Sequence, residues 1–186
     1  MATILGISGS LRRGSFNTAL LRAAVDLAPE GTTVTPETLQ GVPLYDADVE
    51  AADGIPAAVA RLKEAVVASD GLLLVTPEYN NGLPGVFKNA IDWMSRPASD
   101  IGRVFGALPV AVIGASPGGF GTILSQAAWL PVLRTLGTNP WFGGRLQVSR
   151  AGHVFAEGVL TDDDTRGRLA DFVAGFAAFA ERNSRL

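Results

Sequence analysis

Ile4-Leu5-Gly6-Ile7, running on into Gly9-Ser10-Leu11-Arg12-Arg13-Gly14-Ser15-Phe16-Asn17, is the stretch on which the fold turns. A short apolar run passes into a small polar loop, and the loop into an amphipathic segment from Thr18 to Ala28. That order is how a parallel α/β sheet presents backbone N–H groups to a phosphate at a helix N-terminus. Ser10, Ser15 and Asn17 offer short side chains able to donate to phosphate oxygens, and Arg12 adds a permanently charged planar fork. Gly9 and Gly14 let the backbone turn and approach closely. The loop reads as a phosphate cradle. The plainer reading is a loop that only caps the next helix through Ser15.

Two other cradles are excluded. Gly9-x-x-x-x-Gly14 is followed directly by Ser15, without the lysine of a Walker loop. The dinucleotide fingerprint G-x-G-x-x-G is also missing. A phosphomonoester fits better than a triphosphate or a pyrophosphate.

Outward from this stretch, a first helix spans about Ser15 to Ala28, with Leu20, Leu21, Ala24, Val25 and Ala28 on one face. Thr32 to Thr35 reads as a second strand, which Pro36 marks as an edge or cuts short. Gly41 to Gly54 reads as a loop. Asp53-Gly54-Ile55-Pro56 opens a second helix, striped by Ile55, Val59, Leu62 and Val66. Leu72-Leu73-Leu74-Val75 is apolar without alternation, the mark of a strand inside a parallel sheet. Pro84 starts a third helix carrying Val86, Phe87, Ala90, Ile91 and Met94 inward.

Leu108 to Ile113 is a fourth strand, opening into the glycine-rich loop Gly114 to Thr122 and a helix from Ile123 to Leu136, with a kink expected at Pro131. A fifth strand falls within Thr138 to Phe142, and an irregular stretch follows to Leu160. Thr161, ahead of Asp162-Asp163-Asp164, caps a fifth helix seated by Leu169, Phe172, Val173, Phe176 and Phe179.

Five strands alternate with five helices, with no linker or repeat. This predicts one domain over residues 1–186: α/β, flavodoxin-like, a doubly wound five-stranded parallel sheet of order 2-1-3-4-5 with helices on both faces. In that order the loops after strands 1, 3 and 4 meet at one rim, where open sheets bind their ligands.

Composition narrows the partners. A net charge of −3 without a long basic run argues against nucleic acid. The absence of cysteine removes disulfides, thiolate nucleophiles and thiolate metal ligands. Met1-Ala2-Thr3 lacks a basic n-region, and Val104 to Ala115 is too short for a membrane span. No signal peptide or membrane partner is expected, and the cytoplasm is the expected compartment.

The rim is short of reactive groups. Gly114-Ala115-Ser116-Pro117-Gly118 matches the G-x-S-x-G nucleophile elbow, but Pro117 cannot supply the oxyanion-hole N–H. No acid lies between Ser116 and the single histidine, His153, so the triad order cannot be built. His153 reads as a surface or interface residue, and no transition-metal cluster is available. Glu78 is a possible base without a visible partner, and Trp93, Trp129 and Trp141 read as core or interface aromatics. Such a rim implies a cofactor that carries the chemistry itself. FMN fits: one phosphate for the first loop, and a flat ring for the other two. Backbone N–H groups from Asn80 to Gly82 and from Ser116 to Gly119 would meet the ring edges, with Tyr79 packed along the ring or the ribityl chain.

Gly9-Ser10-Leu11-Arg12 with Ser15-Phe16-Asn17, and Thr76-Pro77-Glu78-Tyr79-Asn80 with Lys88-Asn89-Ala90-Ile91-Asp92-Trp93, resemble the NAD(P)H-dependent FMN reductase family, on its chromate/quinone reductase branch. Pro43-Leu44-Tyr45-Asp46-Ala47-Asp48 and the late Phe155, Gly158, Leu160 and Asp162 extend the resemblance over nearly the whole chain. The resemblance implies bound FMN, NADPH or NADH as co-substrate, and a homodimer or homotetramer whose neighbouring subunit helps to line the pocket. It implies ping-pong transfer of hydride through flavin N5 to a small-molecule electron acceptor: a quinone, azo compound, free flavin or metal oxyanion such as chromate. By position, Ser10, Arg12, Ser15, Phe16 and Asn17 would hold the phosphate. Pro77, Glu78, Tyr79 and Asn80 would hold the ring, completed by Ser116 and Gly119. Asn81 stands where many relatives carry an aromatic residue or a histidine. The competing function is a non-enzymatic electron carrier of the flavodoxin type, and a third is a flavin-free binding module.

Overall fold

β1 (Ala2–Ser8) lies between β2 (Thr32–Thr38) and β3 (Gly71–Val75), and β4 (Pro109–Ala115) follows β3. With β5 (Asn139–Pro140) at the far edge, the order is β2-β1-β3-β4-β5, and every pairing along it is parallel. The computed structural model describes residues 1–185. The expected doubly wound architecture is the observed one.

The alternation of side chains explains the two cores. Ile4, Leu73, Val75 and Ile113 point to one face, beneath α1 (Phe16–Asp26) and α7 (Asp163–Arg182). Leu5, Ile7, Leu72, Leu74 and Val110 point to the other, beneath α3 (Ala57–Val67), α4 (Gly85–Met94) and α6 (Ile123–Thr135). Each such side chain taken fully from water contributes about 1.5–3 kcal/mol, which is why β3 carries no polar residue. Gly6 has a packing reason. A Cβ there would stand 2.3 Å from Leu21 Cδ1, so any larger residue would displace the Leu21 side chain where α1 rests on β1.

Several elements differ from expectation. β2 runs through Pro36 to Thr38, because an edge strand tolerates the missing N–H. Residues 41–54 are not all loop: α2 (Ala47–Asp53) lies within them, N-capped by Asp46, which accepts from Asp48 N–H at 2.8 Å. α2 buries no residue, so hydrophobic periodicity had nothing to register. A short α5 (Ile101–Val104) precedes β4. The stretch before Leu160 also contains β6 (Gln147–Val148), parallel to β4, and a small hairpin of β7 (Phe155–Ala156) and β8 (Val159–Leu160). Asp162, not Thr161, caps α7 by accepting from Thr165 N–H at 2.8 Å. Thr161 instead donates its hydroxyl to Val154 O.

Polar contacts alone hold α2. Glu50 accepts from Arg96 Nε at 2.9 Å and from the Tyr45 hydroxyl at 2.9 Å. The bond from Arg96 keeps the Glu50 carboxyl below the usual carboxylate range. A depressed carboxylate contributes stability at neutral pH and loses it as pH falls through its lowered value. Acidification past the ordinary glutamate range should therefore loosen α2 before the sheet. Glu50→Ala should do the same at neutral pH, read as faster hydrogen exchange of the α2 amides with β3 amides unchanged.

Candidate functional site

The carboxyl ends of β1, β3 and β4 open into three turns on one rim. In the first, Ser15 caps α1, its Oγ accepting from Thr18 N–H at 3.3 Å. The N–H groups of Phe16 and Asn17 have no partner among the described residues, as expected of a helix first turn awaiting an anion. Ser10 Oγ accepts from Arg12 N–H at 3.3 Å, so both serine hydroxyls keep their own protons to donate. The Arg12 guanidinium lies over the Phe16 ring, 5.4 Å from its centroid, and makes no ion pair among the described residues. An unpaired arginine beside two hydroxyls and a helix N-terminus has the donors that an anion cradle needs.

The two cradle glycines differ. A Cβ on Gly9 would stand 2.2 Å from Phe87 Cδ1 and 2.9 Å from Pro77 Cδ, so α4 and the second turn demand glycine there. A Cβ on Gly14 would meet only Arg12 Nη1 at 3.5 Å, and the protein itself makes no such demand.

The second turn closes between Tyr79 and Gly82, each N–H donating to the other's carbonyl, at 3.2 and 3.0 Å. Asn80 (φ 50°) and Asn81 (φ 60°) are both left-handed, which defines a type I′ turn and accounts for two asparagines before a glycine. Gly82 N–H is thus taken, while the N–H groups of Asn80 and Asn81 are free among the described residues. In the third turn Ser116 Oγ donates to Gly121 O at 2.5 Å, leaving no proton for nucleophilic work. His153 lies exposed in a 3₁₀ turn whose start is bonded to the third turn, and it is not among the residues that line the cavity.

The turns enclose one cavity of about 510 Å³. Ser10, Arg12, Ser15, Phe16 and Asn17 line one side, Pro77, Glu78 and Tyr79 the second, and Ala115, Ser116 and Pro117 the third. The volume lies in the range of cofactor pockets, about 300–1,000 Å³. Nine of the eleven residues singled out in the sequence meet here. Asn80 and Gly119 stand off the wall, Pro117 falls within the Ser116–Gly119 stretch expected at the ring, and Ala115 takes a place not foreseen. Its only sequence signal was position, at the end of β4.

Buried polar bonds hold the turns together. Asn17, 4% exposed, donates its Nδ2 to Ala115 O at 2.8 Å and accepts from Ala115 N–H at 2.9 Å. The carboxamide expected to reach a phosphate thus fastens the first turn to the third. Thr76 Oγ1 donates to Pro77 O at 2.9 Å, meets Ser125 Oγ at 2.9 Å and accepts from Trp129 Nε1 at 3.1 Å. Glu78 Oε2 accepts from Leu124 and Ser125 N–H at 2.9 and 3.0 Å, so this carboxylate caps α6. Gly114 makes the closest approach: a Cβ there would lie 2.2 Å from both Thr76 O and Thr122 Oγ1.

This donor set fits FMN. The first turn offers charge and N–H groups for one phosphate, and beyond it the cavity is walled by Pro77, Tyr79 and the Ala115–Pro117 backbone, apolar planes suited to a flat ring.

The profile of the NADPH-dependent FMN reductase family matches residues 2–152. An NAD(P)H-dependent FMN reductase of Pseudomonas aeruginosa is 44% identical over 164 residues, covering 88% of this chain and 86% of the relative. A 2-hydroxy-1,4-benzoquinone reductase of a Burkholderia species is 37% identical, covering 93% of each. Among solved structures, the flavoenzyme NAD(P)H:(acceptor) oxidoreductase FerB of Paracoccus denitrificans superposes with a TM-score of 0.87 at 34% identity, covering 99% of this chain and all of that one. The chain belongs to the NADPH-dependent FMN reductase family and is an FMN-using oxidoreductase that draws on NAD(P)H.

Asn17→Ala should strand the Ala115 N–H and C=O and lower stability by about 1–3 kcal/mol in denaturant titration. Serine at the same position, too short for both bonds, should restore little of it.

Proposed function

We propose that this member of the family reduces a quinone at the expense of NADH or NADPH, the two substrates taking turns at the same opening. The balance is NAD(P)H, one proton and quinone giving NAD(P)⁺ and hydroquinone. The observation that carries the reading is the unpaired Arg12, set with Ser10, Ser15 and the free N–H groups of α1 on the same wall system as Tyr79 and Pro117. Bound FMN supplies the acceptance of hydride and its two-electron delivery.

The chain's own residues bind and orient. Arg12 and the α1 N-terminus hold the phosphate charge, with Ser10 and Ser15 donating to its oxygens. Phe16 keeps the guanidinium in place through its ring face. Pro77 and Tyr79 flank the ring, and Glu78 acts one step removed, by pinning α6 under the second turn. The free N–H groups of Asn80 and Asn81 are donors for a ring edge. Asn17 is a positioning residue rather than a phosphate ligand. The proton taken up by the quinone comes from solvent, because Glu78 is bonded into the α6 N-terminus and His153 does not line the cavity. A small polar residue at Asn81 leaves the approach to the ring unobstructed, which suits an acceptor of quinone size.

The whole of residues 1–186 acts as one FMN-binding domain in this reading, in the cytoplasm, as a homodimer or homotetramer. Among the described residues, no helix is long and apolar enough to cross a membrane. Exposed Phe120 and Leu124 beside the third turn support a neighbouring subunit at the rim. A flavodoxin-type carrier is not favoured, since the relatives are named as reductases.

Under anaerobic conditions NADH or NADPH should bleach the visible flavin absorption of the FMN-loaded protein at once, and a benzoquinone should restore it. Failure with both nicotinamides would overturn the reading. Arg12→Ala should weaken FMN binding on the order of 10- to 100-fold, the worth of a charge-assisted hydrogen bond, while the thermal midpoint of the FMN-free protein stays unchanged. Equal affinity in that variant would remove Arg12 from the cradle.

A further inference from the structure

Between β5 and β6 the edge of the sheet is open. Trp141 N–H still donates to Val110 O at 2.8 Å, and pairing resumes only with Gly114 N–H to Leu146 O at 3.4 Å. Even-numbered residues of β4 turn their N–H and C=O to this edge, so Val112 falls in the gap. Neither its N–H nor its C=O has a partner among the described residues.

Trp141 is the cause. Its ring turns to the α7 face, 4.9 Å from Phe172 and 5.8 Å from Phe176, and the chain from Phe142 to Arg145 loops around it. Gly143 lies so close that a Cβ would stand 2.5 Å from Trp141 Nε1. The detour that seats the indole pulls the backbone away from Val112.

The gap opens on a cavity of about 280 Å³ beneath α6, separate from the FMN cavity. Ala127, Leu130, Leu133 and Phe142 give it apolar walls, and Arg145, without an ion pair among the described residues, adds a cation to its lining. A paired donor and acceptor within apolar walls is the composition of a small-molecule site.

β4 itself shows which group satisfies such a pair. Three residues on, at the opposite edge, the N–H and C=O of Ala115 are both taken by one primary carboxamide, that of Asn17. We infer that Val112 forms the polar floor of a second ligand site, which takes a small aromatic primary carboxamide bearing an acidic group for Arg145. The ligand's carbonyl accepts from Val112 N–H, its amide N–H donates to Val112 C=O, and its ring lies between Leu130 and Phe142. Displacing ordered water costs little when the entering group reproduces both bonds.

The test is a titration of the full, ¹⁵N-labelled chain, with and without FMN, using 6-carbamoyl-2-naphthoate and its N,N-dimethylamide. The carboxamide should shift the Val112 amide resonance to saturation in both forms. The dimethylamide, which keeps ring and acid but has no N–H, should bind about tenfold more weakly. Ala127→Trp, at an exposed helix position, should abolish the shift by filling the cavity, and Arg145→Gln should weaken it. An unmoved Val112 resonance, equal binding of the two compounds, or a shift surviving Ala127→Trp would overturn the inference. So would loss of the shift on adding FMN, because the probe would then be reporting the cofactor cavity.

Discussion

A parallel sheet must do something with the backbone groups at its carboxyl rim, where neighbouring strands stop pairing. Here the answer is the carboxamide of Asn17. β3 leaves the sheet at Pro77, having last engaged β4 through Thr76 N–H and Ile113 O at 2.8 Å. One step further, Ala115 still points an N–H and a C=O toward the vacated side. Asn17, from the first turn of α1, supplies an acceptor and a donor in the arrangement a strand would have given. An unmet buried N–H or C=O costs about 1–3 kcal/mol, so this bond fixes where α1 begins and how near the third turn lies. The cavity exists because one side chain finishes a strand's hydrogen bonding.

The remaining cross-links follow the same logic. Thr76 gathers Ser125 and Trp129 beneath the rim, and Glu78 caps the helix they sit on. Gly9 and Gly114 are glycines because neighbouring chain occupies the place of a Cβ. Each turn is thus held by bonds to another, while unpaired groups remain on the cavity wall: Arg12, two serine hydroxyls, and the N–H groups of Phe16 and Asn17. Rigid support with free donors is the arrangement expected of a preorganised binding site.

Chemically the rim is spare. Its one lining carboxylate is bonded to a helix end, its third-turn serine donates to a carbonyl, and the single histidine is not in the lining. Protein of this kind binds, orients and shields, and leaves electron transfer to the group it holds. The same strand that ends at the rim loses its outer-edge pairing at Val112, beside the detour that seats Trp141, so β4 is finished by a side chain on one edge and left unfinished on the other.

The order of elements, the two-faced core and the three turns were legible in the sequence, because each leaves a local trace: β3 as an unbroken apolar run, α1 as a helical stripe after a serine cap, the cradle as small residues around Arg12. α2 left no hydrophobic stripe, since it buries no side chain; its Asp46 cap is local, but Arg96, which holds Glu50, lies 46 residues further along the chain. Nor could spacing show that Asn17 faces Ala115 rather than a phosphate, or that Glu78 caps α6 rather than acting as a base. Those roles are set by which backbone groups the sheet leaves unpaired, and 98 residues separate Asn17 from the one it satisfies. Local sequence determined what each segment is, whereas the meeting of strand ends decided what each polar side chain is for.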